Sequence, residues 1–381
     1  MTLKSVVMVA GEASGDLHGS HLIHALHEQH GPVFVCGMGG KAMRAAGAKI
    51  LVDADQLAVV GITEVIAKLS HIMKAMAQLK RLLSGLRPDL LILIDFPDFN
   101  LHLAATAKKL GVPVLYYISP QVWAWRSKRV NKIKKRADHM AVILPFEKAF
   151  YEQHNVPVSF VGHPLMDSTT GRVPLRLAAL PDHNAPVIGF LPGSRVSEVR
   201  SLLPLMLQAG RRLQDKMTNL RFVVSCAPSI NDALIRSILN DHQLRHAEIS
   251  HEPVSELFPR CHLAIVASGT VTLEAAICGT PMIITYAVSP LSYWLGRALI
   301  HVQHIGLVNL IAGKRIVPEL VQNEATPEAI CQAAYSMVSD PQLYSEVCKE
   351  LALVRQRLGQ NGASRNVARI ACSLMGCDHA V

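Results

Sequence analysis

Apolar residues in this chain gather into short, nearly unbroken runs separated by longer stretches with helical spacing. Residues 6–10, 33–36, 90–94, 114–117, 140–143 and 159–161 are such runs, rich in Val, Ile and Leu, and each predicts a strand. A half-exposed strand alternates apolar and polar positions, whereas a strand apolar throughout is buried on both faces. The pattern therefore predicts a parallel sheet covered on both sides by crossover helices, the doubly wound α/β arrangement. It lapses over a polar, proline-bearing stretch and restarts with strands at 187–191, 221–225, 263–266 and 282–285. Two Rossmann-like domains are expected, at 1–166 and 186–345, joined by a linker at 167–185. Strand propensity fades near Thr326, with Pro327 at a helix start, and residues 346–381 are expected to be helices packing back across the domains.

Composition raises one rival to this picture. Half of the 381 residues are hydrophobic and only 18% are charged, so a membrane span has to be considered. The longest stretch without a charge, 275–296, carries Gly279, Pro281, Ser289, Pro290 and Ser292, which punctuate several short elements better than one spanning helix. The N-terminal apolar run is too short for a signal peptide, and the eight cysteines show no CxxC or Cys/His metal spacing. A cytoplasmic protein with reduced thiols is expected. The formal charge is +9, and its excess is local: no acid lies between Asp98 and Asp138, nor between Val65 and Pro88. Such fields suit polyanions or anionic membranes. The densest run, 126–136, matches no nucleic-acid-binding motif, so no nucleic-acid partner is expected.

In open parallel sheets ligands sit where strand carboxyl ends lead into helix N-termini, so the chemistry is sought in those loops. The loop after the first strand, Gly11-Glu12-Ala13-Ser14-Gly15-Asp16, lacks the glycine spacing of a dinucleotide fingerprint, and no Walker A motif occurs. Glu12, Ser14 and Asp16 are candidates for a polar substrate. The run 90–94 ends in Asp95-Phe96-Pro97-Asp98-Phe99-Asn100. A carboxylate directly after four buried aliphatics is costly unless used, which makes Asp95 the candidate general base, with Asp98 the alternative. Trp123 and Arg126, in Ser119-Pro120-Gln121-Val122-Trp123-Ala124-Trp125-Arg126, suit a wall for a sugar or a lipid headgroup. In the second half, Leu191-Pro192-Gly193-Ser194-Arg195 and Ala267-Ser268-Gly269-Thr270 each open a helix. Gly193, Ser194, Arg195, Ser268, Gly269 and Thr270 are anion-binding candidates, and Glu274 is placed to accept ribose hydroxyls. The Asp-x-x-Asp spacing is not a metal-dependent glycosyl-transfer motif, and neither metal nor cofactor is implied.

The segment 57–83 is apolar, Met-bearing and basic, with Glu64 its only acid. As a helix it suits a membrane-surface element using Ile62, Val65, Ile66, Lys68, Ile72 and Met73; the competing reading is a crossover helix buried on the sheet.

Taken together these blocks, with Leu144-Pro145-Phe146-Glu147-Lys148 and Gly162-His163, resemble the lipid-A-disaccharide synthase family over nearly the whole chain. The resemblance implies a GT-B glycosyltransferase, two Rossmann-like domains facing a central cleft. It implies UDP-2,3-diacylglucosamine as donor and 2,3-diacylglucosamine 1-phosphate (lipid X) as acceptor, giving a β(1→6) tetraacyl disaccharide 1-phosphate and UDP. Inversion by one in-line displacement is expected, with Asp95 as base and Asn309 lining the donor site. The implied setting is the cytoplasmic face of the inner membrane, with the anionic surface as partner; oligomeric state stays open, a homodimer included. A UDP-sugar enzyme of the same fold, such as a 2-epimerase or a muramyl-lipid N-acetylglucosaminyltransferase, and a non-enzymatic bilobal sugar-binding protein are the rivals.

Overall fold

The computed structural model describes residues 3–54, 62–125, 127–168, 173–174, 185–217, 219–242, 244, 247–287 and 303–377; the side chains of 62–68 and 127 lie outside the described set. The chain divides into two compact units, one made of 1–164 with 360–381 and the other of 165–359.

The first unit is built on seven parallel strands: β1 (Lys4–Ala10), β2 (Val33–Gly39), β3 (Lys49–Asp53), β4 (Leu90–Ile94), β5 (Val114–Tyr117), β6 (His139–Val142) and β7 (Val158–Phe160). Their order is β3-β2-β1-β4-β5-β6-β7. Alternate residues serve opposite faces, as strand geometry requires. Val7, Val9, Leu91 and Leu93 pack with Leu79, Leu83, Leu103 and Ile133 on one side. Val6, Met8, Ala10, Ile92 and Ile94 pack with Leu22, Leu26, Val367 and Ala371 on the other. Both faces are buried, as the unbroken apolar runs predict.

The second unit carries β8 (Val187–Leu191), β9 (Arg221–Ser225), β10 (Ala247–Ser250), β11 (Leu263–Ala267), β12 (Met282–Tyr286) and β13 (Glu319–Val321), in the order β10-β9-β8-β11-β12-β13. Every central strand coincides with a sequence expectation to within a few residues at its ends. The three strands that sequence pattern missed, β3, β10 and β13, all lie at sheet edges. An edge strand is half-covered, so it needs no continuous apolar run, and its identity comes from pairing with a neighbour.

One boundary differs from expectation. A break at residue 346 falls inside the helix Pro341–Arg357, which stays in the second unit: Tyr344, Cys348, Leu351 and Val354 are buried, and the Tyr344 hydroxyl donates to His262 O at 2.9 Å. Only the last helix, Ala363–Leu374, returns to the first unit. Its Val367, Ala368, Ala371 and Cys372 form one apolar stripe packed on the sheet. Lys4 Nζ and Asn366 Nδ2 anchor it, donating to Met375 O and Val161 O. The expected linker falls largely outside the described residues.

The charge-free stretch 275–296 begins as the helix Val271–Cys278, stops at Gly279 in the left-handed conformation, and continues as β12. Residues from 288 lie outside the described set. Among the described residues, no helix is long and apolar enough to cross a membrane. The helix Ile62–Leu86 buries Ala75, Leu79 and Leu83 on the sheet while leaving Leu69 and Met73 more than half exposed. Ile72 packs partly against the core, and Ile62, Val65, Ile66 and Lys68 have side chains outside the described set. The described part of this helix is therefore a crossover helix with an apolar outer edge.

Candidate active site

Strand order reverses between β1 and β4 in the first unit and between β8 and β11 in the second. At such switch points the loops leaving two neighbouring strands diverge to opposite faces and open a crevice. Four of the five loops singled out by sequence flank these two crevices; the fifth, beginning at Ser119, follows β5. Ala10 pairs with Ile94, so Gly11 and Asp95 leave the first sheet side by side. Leu191 pairs with Val266 in the second.

Asp95 sits in a built turn. Asp95 and Phe96 both take left-handed backbone angles (φ 46° each), which costs residues with a Cβ about 1–3 kcal/mol apiece. The surroundings hold them there. The Asp95 carbonyl accepts Asn100 Nδ2 at 2.7 Å and the Tyr116 hydroxyl at 2.6 Å, and its N–H donates to Tyr117 O. Gly11 is what admits the Phe96 ring: a Cβ there would lie 2.4 Å from Phe96 Cγ. Burial, and then the negative charge of Glu12, push the Asp95 carboxyl up to about 6, partly offset by the Phe96 N–H. A carboxylate in that range is poised to take a proton near neutral pH.

Asp98 is different in kind. It lies in the first turn of the helix Pro97–Lys109, is 74% exposed at its side chain, and is paired with Arg129, whose guanidinium lies over the Trp125 ring at 5.9 Å. The pair links this helix to the basic segment.

Glu12 and Ser14 are exposed, and Glu12 is close enough for its charge to act on Asp95. Asp16, expected at the acceptor, is instead buried and spent on the fold: Oδ1 accepts the N–H groups of Gly40 and Met43, and Oδ2 that of Ala42. A short polar side chain near a neighbouring helix start is captured by its unpaired donors. Trp123 is half-buried, packed edge-on to Phe146 at 4.8 Å and donating through Nε1 to Glu147 at 3.1 Å. Arg126 lies outside the described residues.

Three desolvated titratable groups of the first unit escaped sequence reasoning. Glu147 is fully buried and pushed up to about 7 by desolvation, opposed by bonds from Leu144 N, Trp123 and Ser119. His18 is lowered to about 4 by burial and then His21, and His163 to about 3 by burial and then His18, so both are neutral imidazoles at pH 7. The signals were in the sequence as Leu144-Pro145-Phe146-Glu147 and Gly162-His163, but only tertiary packing shows that these groups are desolvated.

In the second unit, Gly193 (φ 108°) turns the chain so that the Ser194 and Arg195 N–H groups converge. Glu198 fills that concavity: its Oε2 accepts both N–H groups at 3.2 and 3.3 Å, while Oε1 pairs with Arg195 at 3.2 Å. The loop thus holds an anion already, a carboxylate occupying the position of a phosphate oxygen. Across the crevice, Gly269 leaves open space where a side chain would stand, Ser268 is half-buried, and Thr270 is exposed. Glu274 is raised by burial. Asn309, expected at the donor site, is bonded within the fold. It is buried, its Nδ2 donating to Val317 O and Glu319 while Oδ1 accepts the N–H groups of Ile316 and Val317. All its bonding capacity braces the turn before β13.

Two Rossmann-like units, each with its loops at a switch point, make up the two-domain α/β fold seen in solved UDP-sugar epimerases and glycosyltransferases alike. The fold is shared with a Staphylococcus aureus MnaA–UDP co-structure (TM-score 0.67, 15% identity, 99% of this chain and 98% of that one) and with the calicheamicin glycosyltransferase CalG4 (TM-score 0.62, 14% identity, 99% and 98%). A family model described as lipid-A-disaccharide synthetase matches residues 6–371. The lipid-A-disaccharide synthase of Geobacter metallireducens is 46% identical over 376 residues, covering 98% of each chain. That of Coxiella burnetii is 41% identical over 378 residues, covering 98% of this chain and all of the relative. The chain belongs to the lipid-A-disaccharide synthetase family and is a glycosyltransferase of lipid A biosynthesis.

Proposed function

We propose that the chain transfers the sugar of UDP-2,3-diacylglucosamine to the 6-hydroxyl of 2,3-diacylglucosamine 1-phosphate, with inversion at the anomeric carbon. Asp95 takes the proton as the hydroxyl attacks, and the anomeric carbon–oxygen bond to UDP breaks on the opposite side. The single observation carrying this reading is the Asp95 carboxyl, held in a left-handed turn and raised to about 6. Asp98 is paired with Arg129, which favours Asp95 as the base.

Negative charge gathers on the departing UDP. Arg195, the Ser194 and Arg195 N–H groups and the helix start at Thr270 supply fixed positive ends for it. For the phosphate to take those N–H groups, Glu198 has to swing away, so donor binding is an exchange of one anion for another. Glu274 accepts the ribose hydroxyls. Glu12, Ser14 and Trp123 form the acceptor side, with Arg126 as a further cation. The exposed Leu69 and Met73 make the outer edge of helix Ile62–Leu86 a contact for acyl chains at an anionic membrane surface.

The test is to follow UDP release from UDP-2,3-diacylglucosamine with and without lipid X, and to determine the product anomer. Acceptor-dependent release with a β-linked product is expected. Conversion of UDP-N-acetylglucosamine to its C2 epimer without any lipid acceptor would overturn the reading in favour of an epimerase. Flotation with anionic liposomes tests the membrane contact: binding at low salt that weakens with added salt is expected, and absence of binding refutes it.

A further inference from the structure

At the edge of the second sheet, β9 and β10 run side by side, with Ser225 paired to Ser250, so the residues just beyond them, Cys226 and His251, emerge together. Asp232, the first residue of the helix Asp232–His242, folds over both. The Cys226 sulfur, an Asp232 oxygen and a His251 ring nitrogen all lie within 4.8 Å of one another, and His251 Nε2 is 3.1 Å from Asp232 Oδ1. We propose that Cys226, Asp232 and His251 form a binding site for a thiophilic divalent cation of the zinc type.

The donor set argues for that chemistry. One thiolate, one imidazole and one carboxylate match a borderline-soft ion, whereas magnesium and calcium demand oxygen ligands. Ligands around a tetrahedral zinc ion stand roughly 3–4 Å apart, given bond lengths of about 2.0–2.3 Å, so closing the trio needs only small side-chain rotations. His251 is 61% exposed at its side chain, which leaves an entry path and a fourth position for water. Cys226 is buried and its sulfur rests against the Ala227 and Ile230 carbonyls. On binding, the thiol releases its proton to solvent as the sulfur–metal bond forms, so affinity rises with pH. Arg236, paired to Asp232 Oδ2, leaves Oδ1 for the metal. The segment also reaches the donor crevice: Ser229 Oγ donates to Ser194 O at 2.7 Å, so an ion here stiffens a loop one hydrogen bond from the anion-binding backbone.

The test is a cobalt(II) titration of the reduced, chelator-treated full chain, read by the near-ultraviolet thiolate-to-cobalt band and followed by displacement with zinc. One ion per chain with a thiolate band is expected. Cys226→Ser is expected to lose the band, and His251→Ala to weaken binding roughly tenfold or more. Circular dichroism and thermal unfolding of each variant confirm the fold, which His251→Ala leaves intact because the ring is exposed. A titration without the band, or a band that persists in Cys226→Ser, overturns the assignment.

Discussion

Replacing Asp95 by Asn separates two consequences of one buried carboxylate. Asn keeps the size and the peptide contacts to Asn100 and Tyr116 but cannot accept a proton. A general base contributes about 10²–10⁴-fold, so kcat is expected to fall by that factor with KM for the donor little changed. Stability should move the other way. Raising a carboxyl from 3.8 to about 6 makes its charged form roughly 3 kcal/mol costlier in the folded chain than in the unfolded one at neutral pH. Between those two values the native state keeps the proton that the unfolded state has lost, so stability falls as pH rises through this window. Asp95→Asn escapes the penalty. Its stability relative to the wild type should therefore be nearly unchanged below pH 3.8, grow between there and about 6, and level off above at up to about 3 kcal/mol. Urea unfolding at several pH values reads the gain, and a turnover assay reads the loss. Wild-type activity should itself rise with pH through about 6 and then flatten. Near-normal turnover in Asp95→Asn, with activity abolished in Asp98→Asn, would reverse the assignment of the base; a stability unchanged at every pH would refute the raised carboxyl itself.

Gly11→Ala sets a methyl 2.4 Å from Phe96 Cγ and is expected to cost about 1–3 kcal/mol by urea unfolding and to lower kcat, because the displaced ring carries the Asp95 turn with it. Asn309→Ala strands the Ile316 and Val317 N–H groups and should destabilise by about 2–4 kcal/mol; an unchanged denaturation midpoint with a raised donor KM would return Asn309 to the donor site. Glu198→Gln removes the resident anion from the Ser194 and Arg195 N–H groups, and calorimetry should find UDP bound several-fold more tightly, worth about 1 kcal/mol. Weaker binding would mean that Glu198 matters more for aiming Arg195 than for competing with phosphate.

Sequence alone determined the class of fold and marked the strand-end loops that are candidates for the chemistry. Unbroken apolar runs such as 90–94 can only be stable with both faces covered, and that local fact implies the central strands, the crossover helices and the two-unit plan. Asp95, Gly193 and Ser268 were legible because a polar or glycine residue at the end of such a run has few structural uses. Tertiary structure decided whatever depends on a neighbour distant in sequence. It supplied the edge strands β3, β10 and β13, whose residues become strands by pairing. It gave the helix Pro341–Arg357 to the second unit and Ala363–Leu374 to the first, since either amphipathic helix could have covered either sheet. It turned Asp16 and Asn309 from candidate ligand contacts into braces, because each meets backbone donors that nothing local reveals. It also brought Cys226, Asp232 and His251 within reach of a single ion, though their spacing in the chain matches no metal motif. Burial and hydrogen bonding are sums over surroundings assembled from the whole chain, so residue type alone can mark a group as chemically capable but cannot say whether the fold leaves it free.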